Sequence, residues 1–154
     1  MKKLMTICVM ALLGGLLVHA QTAGPASAPS SGPTVRFAWL DVYIDSKARP
    51  LAAYQFELKA TGPDVRIVGI QGGEHLAFKD PPFYDPAALS HNRVIIAAYN
   101  TGNDLPVGKT HVARLHVRMV GVQRPEYIIN VMVAGTTDGA KIPVVASVTE
   151  GVGP

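Results

Sequence analysis

The sequence predicts an all-β protein, an antiparallel β-sandwich of about seven to nine strands interrupted by one long loop. Two observations lead to this fold class. Short runs rich in valine and isoleucine alternate with polar residues, and turn residues separate these runs at regular spacing. In addition, no stretch after residue 34 repeats its apolar residues with the period of a helix.

The first predicted strand, residues 35–45, alternates between two kinds of side chain, as a half-buried strand does. We expect its aliphatic face to point into the core. That face carries Ala38, Leu40, Val42 and Ile44. The opposite face carries aromatic and acidic residues, namely Phe37, Trp39, Asp41, Tyr43 and Asp45.

The other predicted strands follow from the same reasoning. In the second, Tyr54, Phe56 and Leu58 are expected to face the core. The β-branched run 93–99 is expected to be buried. Further strands are predicted at 65–70, 110–120, 126–135 and 141–149.

The amino-terminal residues have the composition of targeting and linker segments. Residues 1–20 read as a signal peptide, with Lys2 and Lys3 before an apolar run, and we expect cleavage before Gln21. A retained membrane anchor stays open as an alternative, although the run is short for a spanning helix. Residues 21–34, rich in Ala, Pro, Ser and Gly, predict a flexible linker ahead of one domain at 35–150.

Removing the signal would change the charge and the cysteine count. The whole chain carries a formal charge of +3, and two lysines and the one cysteine, Cys8, would leave with the signal. The remainder has no clustered basic footprint, so we expect no nucleic-acid partner. It also has no thiol, which excludes disulfides and cysteine-ligated metals. We therefore expect an exported protein in the periplasm, the cell envelope or the extracellular space, with no membrane span after cleavage.

Two short motifs suggest a family. The stretch Gln55 to Leu58, "QFEL", follows the first strand and a turn, and Leu105 to Gly108, "LPVG", precedes the long strand 110–120. The region from Asp41 to Gly121 resembles the cohesin-like modules of the carbohydrate-binding-module superfamily. This resemblance implies a nine-stranded jelly-roll topology and a non-catalytic binding role. It implies no particular partner and no site residue.

The long loop, Gly72 to His91, combines a helix-start signal with three aromatic residues. Asp85 followed by Pro86 predicts a helical turn capped by the aspartate. Phe78, Phe83 and Tyr84 have two interpretations that stay open. They cover an edge or end of the sandwich, over Trp39 or Tyr43 for example, or they form an exposed aromatic platform.

The strand faces supply the remaining candidate binding residues. Trp39 and Tyr43, beside Asp41 and Asp45, combine stacking planes with hydrogen-bond acceptors and suit a sugar ring, unless that face is buried. On the long strand a basic row could dock an acidic partner or simply face solvent. That row comprises Arg114, His116 and Arg118. The five-residue spacing of His111 and His116 predicts opposite faces and no shared metal.

The function predicted from these features is a non-catalytic binding module. No nucleophile elbow, phosphate-binding glycine loop or paired carboxylate motif occurs, so we expect no enzyme. No cofactor is expected, and a structural calcium ion bound by turn aspartates is the alternative left open. A protein partner at the cell envelope is the first expectation. Binding of a polysaccharide, or a structural envelope role without a small ligand, are the alternatives.

Overall fold

The computed structural model describes residues 32–62 and 64–152. The expected signal peptide, residues 1–20, and all but the last three residues of the expected linker, 21–34, lie outside the described residues. The described strands are β1 (Val35–Asp45), β2 (Ala53–Ala60), β3 (Val65–Gly72), β4 (Phe83–Tyr84), β5 (Arg93–Tyr99), β6 (Lys109–Val120), β7 (Tyr127–Gly135) and β8 (Val145–Val152). Two 3₁₀ turns, Leu76–Phe78 and Pro86–Ala88, lie in the long loop.

The strands form two four-stranded antiparallel sheets. The first sheet has the order β3-β6-β1-β8, and the second has the order β4-β5-β2-β7. Every connection between consecutive strands except β4 to β5 crosses from one sheet to the other. The predicted all-β sandwich is therefore confirmed, with a strand number inside the expected range.

The core lies between the two sheets and follows the predicted alternation. Along β1, the four aliphatic residues predicted to face the core are all buried, namely Ala38, Leu40, Val42 and Ile44. The residues of the opposite face, such as Trp39, stay partly or largely exposed. Along β2, Tyr54, Phe56 and Leu58 are buried as expected. The apolar faces of both sheets are thus removed from water, which supplies the main favourable term in folding.

Two strand predictions need correction. The last strand begins at Val145 instead of residue 141, because the preceding segment folds back onto β7: Ile142 N–H donates to Ala134 O at 3.0 Å. Pro143, which has no N–H, then follows. Strand β5 is buried on one face only, since Val94 and Ile96 are buried and Ile95 lies on the exposed face.

A β-bulge in β6 reverses the predicted orientation of His111. Val42 pairs with Ala113 but Tyr43 pairs with His111, so Val112 is an extra residue in β6. Both Val112 and Ala113 point into the core. His111 therefore shares the outward face with His116. The prediction that their five-residue spacing places them on opposite faces is wrong, because it assumed unbroken alternation along the strand.

The long loop is folded tightly against both sheets. Gly72 and Gly73 are required by close packing, because a Cβ on Gly72 would lie 2.2 Å from Lys79 O and a Cβ on Gly73 would lie 2.0 Å from His111 O. The predicted cap is present: the Asp85 carboxylate accepts a bond from Ala87 N at 2.9 Å, with Pro86 starting the turn. The loop also contains β4, which the sequence did not predict.

One buried hydrogen bond joins the sheets at the bulge. The Tyr54 hydroxyl, on the second sheet, donates to Val112 O on the first sheet at 2.8 Å. Burial raises the pKa of Tyr54 well above its usual range. The hydroxyl therefore stays protonated and acts as a donor throughout the ordinary pH range.

Replacing Tyr54 with phenylalanine should destabilise the protein by about 1 to 3 kcal/mol, because the buried Val112 carbonyl loses this donor. The measurement is the free energy of unfolding in urea. Tyr99→Phe is the matched control, since this side chain is 67% exposed. An equal loss in both variants would contradict a special role for the buried bond.

Candidate functional site

The candidate residues predicted from the sequence lie on opposite faces of the molecule. Trp39 and Tyr43 on β1 share the outward face of the first sheet with the basic row of β6, which comprises Arg114, His116 and Arg118. Phe83 and Tyr84 belong to β4 in the second sheet. The seven residues therefore cannot form one site.

The outward face of the first sheet is organised around Asp41. Arg114 donates to both carboxylate oxygens of Asp41, through Nε at 2.6 Å and Nη2 at 3.0 Å. The hydrogen bond to Asp41 raises the pKa of Arg114 above its usual value. His111, which lies on β6 like Arg114, also approaches this carboxylate: its Nε2 lies 3.2 Å from Asp41 Oδ1. Arg114, one residue of the predicted basic row, is thus neutralised by an internal partner.

The tautomer of neutral His111 follows from its neighbours. Nε2 lies 3.1 Å from Ala113 O and also close to Asp41, and both of these atoms are acceptors, so Nε2 carries the proton. Nδ1 has no hydrogen-bond partner among the described residues and lies 3.7 Å from Glu74 Oε1. This buried ring on β6 lies beside Glu74, at the start of the long loop.

The rings of Trp39 and Tyr43 on this face already contact side chains and backbone of the protein itself. The Arg114 guanidinium lies 5.5 Å from the Trp39 ring centroid, and a Cβ on Gly151 would lie 2.3 Å from the indole. The Tyr43 ring lies 5.2 Å from the His111 ring and 4.6 Å from the Lys109 ammonium. Cation–π contacts of this kind stabilise the face itself. A sugar would have to displace them before it could stack.

One edge of this face is internally paired, whereas two arginines lie opposite each other on β6 and β3. Lys47 donates to Asp45 through both its backbone N–H and its ammonium group, and these bonds lower the pKa of Asp45. Arg118 lies opposite Phe37 on β1 and Arg66 on β3. His116 lies between Trp39 and Gly69 in a cross-strand row.

The outward face of the second sheet has a different chemistry. It presents exposed large apolar side chains from all its strands except β2, which lies between β5 and β7. These residues are Phe83, Ile95, Tyr99, Ile128, Met132 and Val133. Polar residues of β2 lie among them, and Glu57 pairs with Arg93 of β5. We call this surface the apolar face.

The aromatic residues of the long loop divide between the two open interpretations. Phe78 is buried, with its ring 5.1 Å from the Tyr54 ring in an edge-on arrangement, and Tyr84 packs partly buried against the core. Phe83 is 66% exposed and stacks on Tyr99, with ring centroids 6.0 Å apart and planes 7° from parallel. The expected cover over Trp39 or Tyr43 is wrong, because β4 pairs in the other sheet.

Sequence reasoning missed most of the apolar face. It selected Phe83 but not Tyr99 or Ile95, because the β-branched composition of 93–99 favoured burial on both sides. Met132 was also missed, and it is the extra residue at a register shift of β7. The alternation of inward and outward side chains along β5 could have identified two of these residues. It places Ile95 and Tyr99 on the face opposite Val94 and Ile96.

The described part of the chain has neither a cluster of metal ligands nor a membrane-spanning helix. There, no group of three or more histidine, cysteine, aspartate or glutamate side chains is placed to hold a metal ion. No helix within residues 32–62 and 64–152 reaches the length and hydrophobicity that crossing a bilayer requires.

Comparison with known proteins adds no family to this description. No protein-family model, curated protein or solved structure matches the chain.

Replacing Asp41 with asparagine should lower the free energy of unfolding by about 1 to 3 kcal/mol, because Arg114 would lose a charged acceptor that is only 14% exposed. Chemical denaturation measures the change. Asp45→Asn is the matched control on the same strand and face. The Asp45 side chain is more exposed, at 30%, and its ion pair with Lys47 lies at the surface, so a smaller change is expected. A larger loss at Asp45 would overturn the assignment of Asp41 as the centre of this face.

Proposed function

We propose that the protein is an exported, non-catalytic, cohesin-like module that binds another protein through the apolar face. The observation that carries this proposal is the clustering of exposed large apolar side chains on one side of the second sheet. Exposed apolar patches mark interaction sites in soluble proteins.

The comparison between the two sheets supports this choice of face. On the first sheet, the exposed apolar residues lie at the starts of β1 and β8 and at the bulge of β3, and the centre is filled by the Asp41 network. On the second sheet, Ile95 and Met132 lie on the strands that flank β2. Burying these side chains against a partner would remove apolar area from water, and the polar residues of β2 that lie between them would meet the partner through polar contacts.

The composition of the apolar face favours a protein as the partner. Apolar and aromatic side chains with few charges characterise the centre of protein interfaces. Among the charged residues here, Glu57 and Arg93 neutralise each other, which leaves Lys59 as the remaining charge on the middle strand. A polyanionic partner would find little to attract it on this surface.

Polysaccharide binding remains the second candidate, and one observation favours it. The exposed, nearly parallel rings of Phe83 and Tyr99 offer aromatic planes to a ligand. Trp39 and Tyr43 offer less, because their rings are already in contact with basic side chains. Under this alternative the sugar site would lie on the loop side of the second sheet.

Export to the cell envelope or beyond is part of the proposal. Its support is the composition of residues 1–20, with a basic start and an apolar run that precede a small residue. A binding module in that compartment needs no cysteine when a core such as the one between the two sheets stabilises it.

Single lysine substitutions on the apolar face should weaken partner binding about tenfold or more, because each would bury a charge in the interface. Ile95→Lys and Met132→Lys test the centre of the face, and Phe37→Lys on the first sheet is the matched control at 59% exposure. Partners captured from envelope and secreted fractions would be identified, purified and titrated against each variant.

Thermal unfolding must first show that all three variants fold. Equal binding by the wild-type protein and both apolar-face variants, or equal loss with Phe37→Lys, would overturn the proposed face. Binding to polysaccharide that survives Ile95→Lys but is lost in Tyr99→Ala would favour the second candidate.

A further inference from the structure

A cleft opens at one end of the apolar face, where the long loop meets the end of β5. Its volume is about 290 Å³, which suits one large side chain better than a drug-sized ligand. Phe83 and Tyr99 line it on the sheet side, and Leu76 and the two prolines of the loop line the other side. Phe78, packed against Tyr54, fixes its inner end.

The cleft is held open by ordered contacts. Asn100, at the end of β5, donates through its side-chain amide to Ala77 O at 3.1 Å, and its side-chain oxygen accepts from Gly102 N at 2.7 Å. Gly73 N donates to Phe78 O at 2.7 Å. The loop is therefore fixed to both ends of the cleft before any ligand arrives, which lowers the entropy cost of binding.

The lining has a definite charge preference. Asp80 is the only charged residue among those that line the cleft, and it is exposed without an ion-pair partner in the described ranges. The Asn100 side chain already donates to Ala77 O and accepts from Gly102 N, so the Asp80 carboxylate is the strongest acceptor that the lining offers to a ligand. A cleft whose one charged lining residue is a carboxylate favours a cationic group.

The stacked aromatic pair narrows the choice of cation. Phe83 and Tyr99 present nearly parallel planes, and both are about two-thirds exposed. A guanidinium group is planar, stacks on aromatic faces and donates two parallel hydrogen bonds to a carboxylate. A lysine ammonium is more strongly hydrated and lacks the planar fork, so it would use only part of this arrangement.

We propose that this cleft anchors an arginine side chain of the protein partner, with the guanidinium stacked beside Phe83 and Tyr99 and paired to Asp80. The proposal rests on the proposed function, since the cleft continues the apolar face. Arginine is enriched among the residues that dominate binding energy at protein interfaces, where it fills pockets of this kind.

The test is a titration of the isotope-labelled protein with N-acetyl-L-arginine amide, followed by ¹⁵N–¹H correlation spectra. Saturable shifts are expected at the amides of Phe83, Ala98, Tyr99 and Asn100. N-acetyl-L-citrulline amide has nearly the same shape without the charge and should bind at least about fivefold more weakly, which corresponds to loss of one charge-assisted contact. Equal affinity for both probes, or no saturable shift, would overturn the proposal.

Two variants locate the effect. Asp80→Asn should remove the preference for the arginine probe over the citrulline probe, and Phe83→Ala should weaken both probes. Asp104→Asn, in an exposed turn, is the matched control and should change neither. A preference that survives Asp80→Asn would place the cation elsewhere and contradict the assignment.

The outcomes separate this proposal from the proposed function. Partner binding that depends on Ile95 and Met132 while the arginine probe fails would overturn the cleft alone. Specific arginine binding at the cleft, with partner binding indifferent to the apolar-face variants, would overturn the proposed face alone. Cleft shifts that appear when the protein is concentrated without probe would identify a second copy as the occupant and contradict a separate partner.

Discussion

The bulge at Val112 in β6 is the constraint on which the rest of the structure depends. The extra residue turns the carbonyl of Val112 toward the second sheet, where the Tyr54 hydroxyl donates to it at 2.8 Å. Phe78 of the long loop packs its ring edge-on against Tyr54. At the same place Gly73 passes so close to His111 O that no side chain would fit. The sheet contact, the loop and the inner end of the cleft therefore meet at one irregularity.

The same bulge explains why the two outer faces differ. By reversing the alternation, it brings His111 to the outward side beside Asp41, where it joins the contacts of Arg114 and Tyr43. There the Asp41 carboxylate is paired with Arg114, and the rings of Trp39 and Tyr43 contact basic side chains. No equivalent polar network spans the described outward side of the second sheet, where the rings of Phe83 and Tyr99 stack on each other. An exposed apolar surface gains more from burial against a partner than a polar surface does.

The sequence predicted what depends on local alternation and missed what depends on departures from it. The bounds of β1 and β5, the core face of β2 and the cap at Asp85 all follow from short-range patterns, and the structure has them. A bulge leaves no such pattern, because Val112 and Ala113 are apolar and fit either orientation until the pairing with β1 is known.

Strand β4 was missed for a related reason. Two residues are too short for a periodic signal, and its pairing with Ala97 and Ile96 exists only because the loop returns to the edge of the second sheet. The candidate site was predictable to the same extent: Phe83 was identified by composition, but its neighbour Tyr99 required knowledge of which strands meet.

The long loop therefore both covers the core, through Phe78 and Tyr84, and presents an exposed side chain for binding, Phe83. Phe78 and Tyr84 are turned inward and belong to the core, so removing the loop would unpack the sandwich and could not test binding. Phe83, between them in sequence, lies on the outward side because residues alternate along β4. Because Phe78 and Tyr84 are packed against the core, the ring of Phe83 is held beside Tyr99. The buried part of the loop thus positions the exposed aromatic pair.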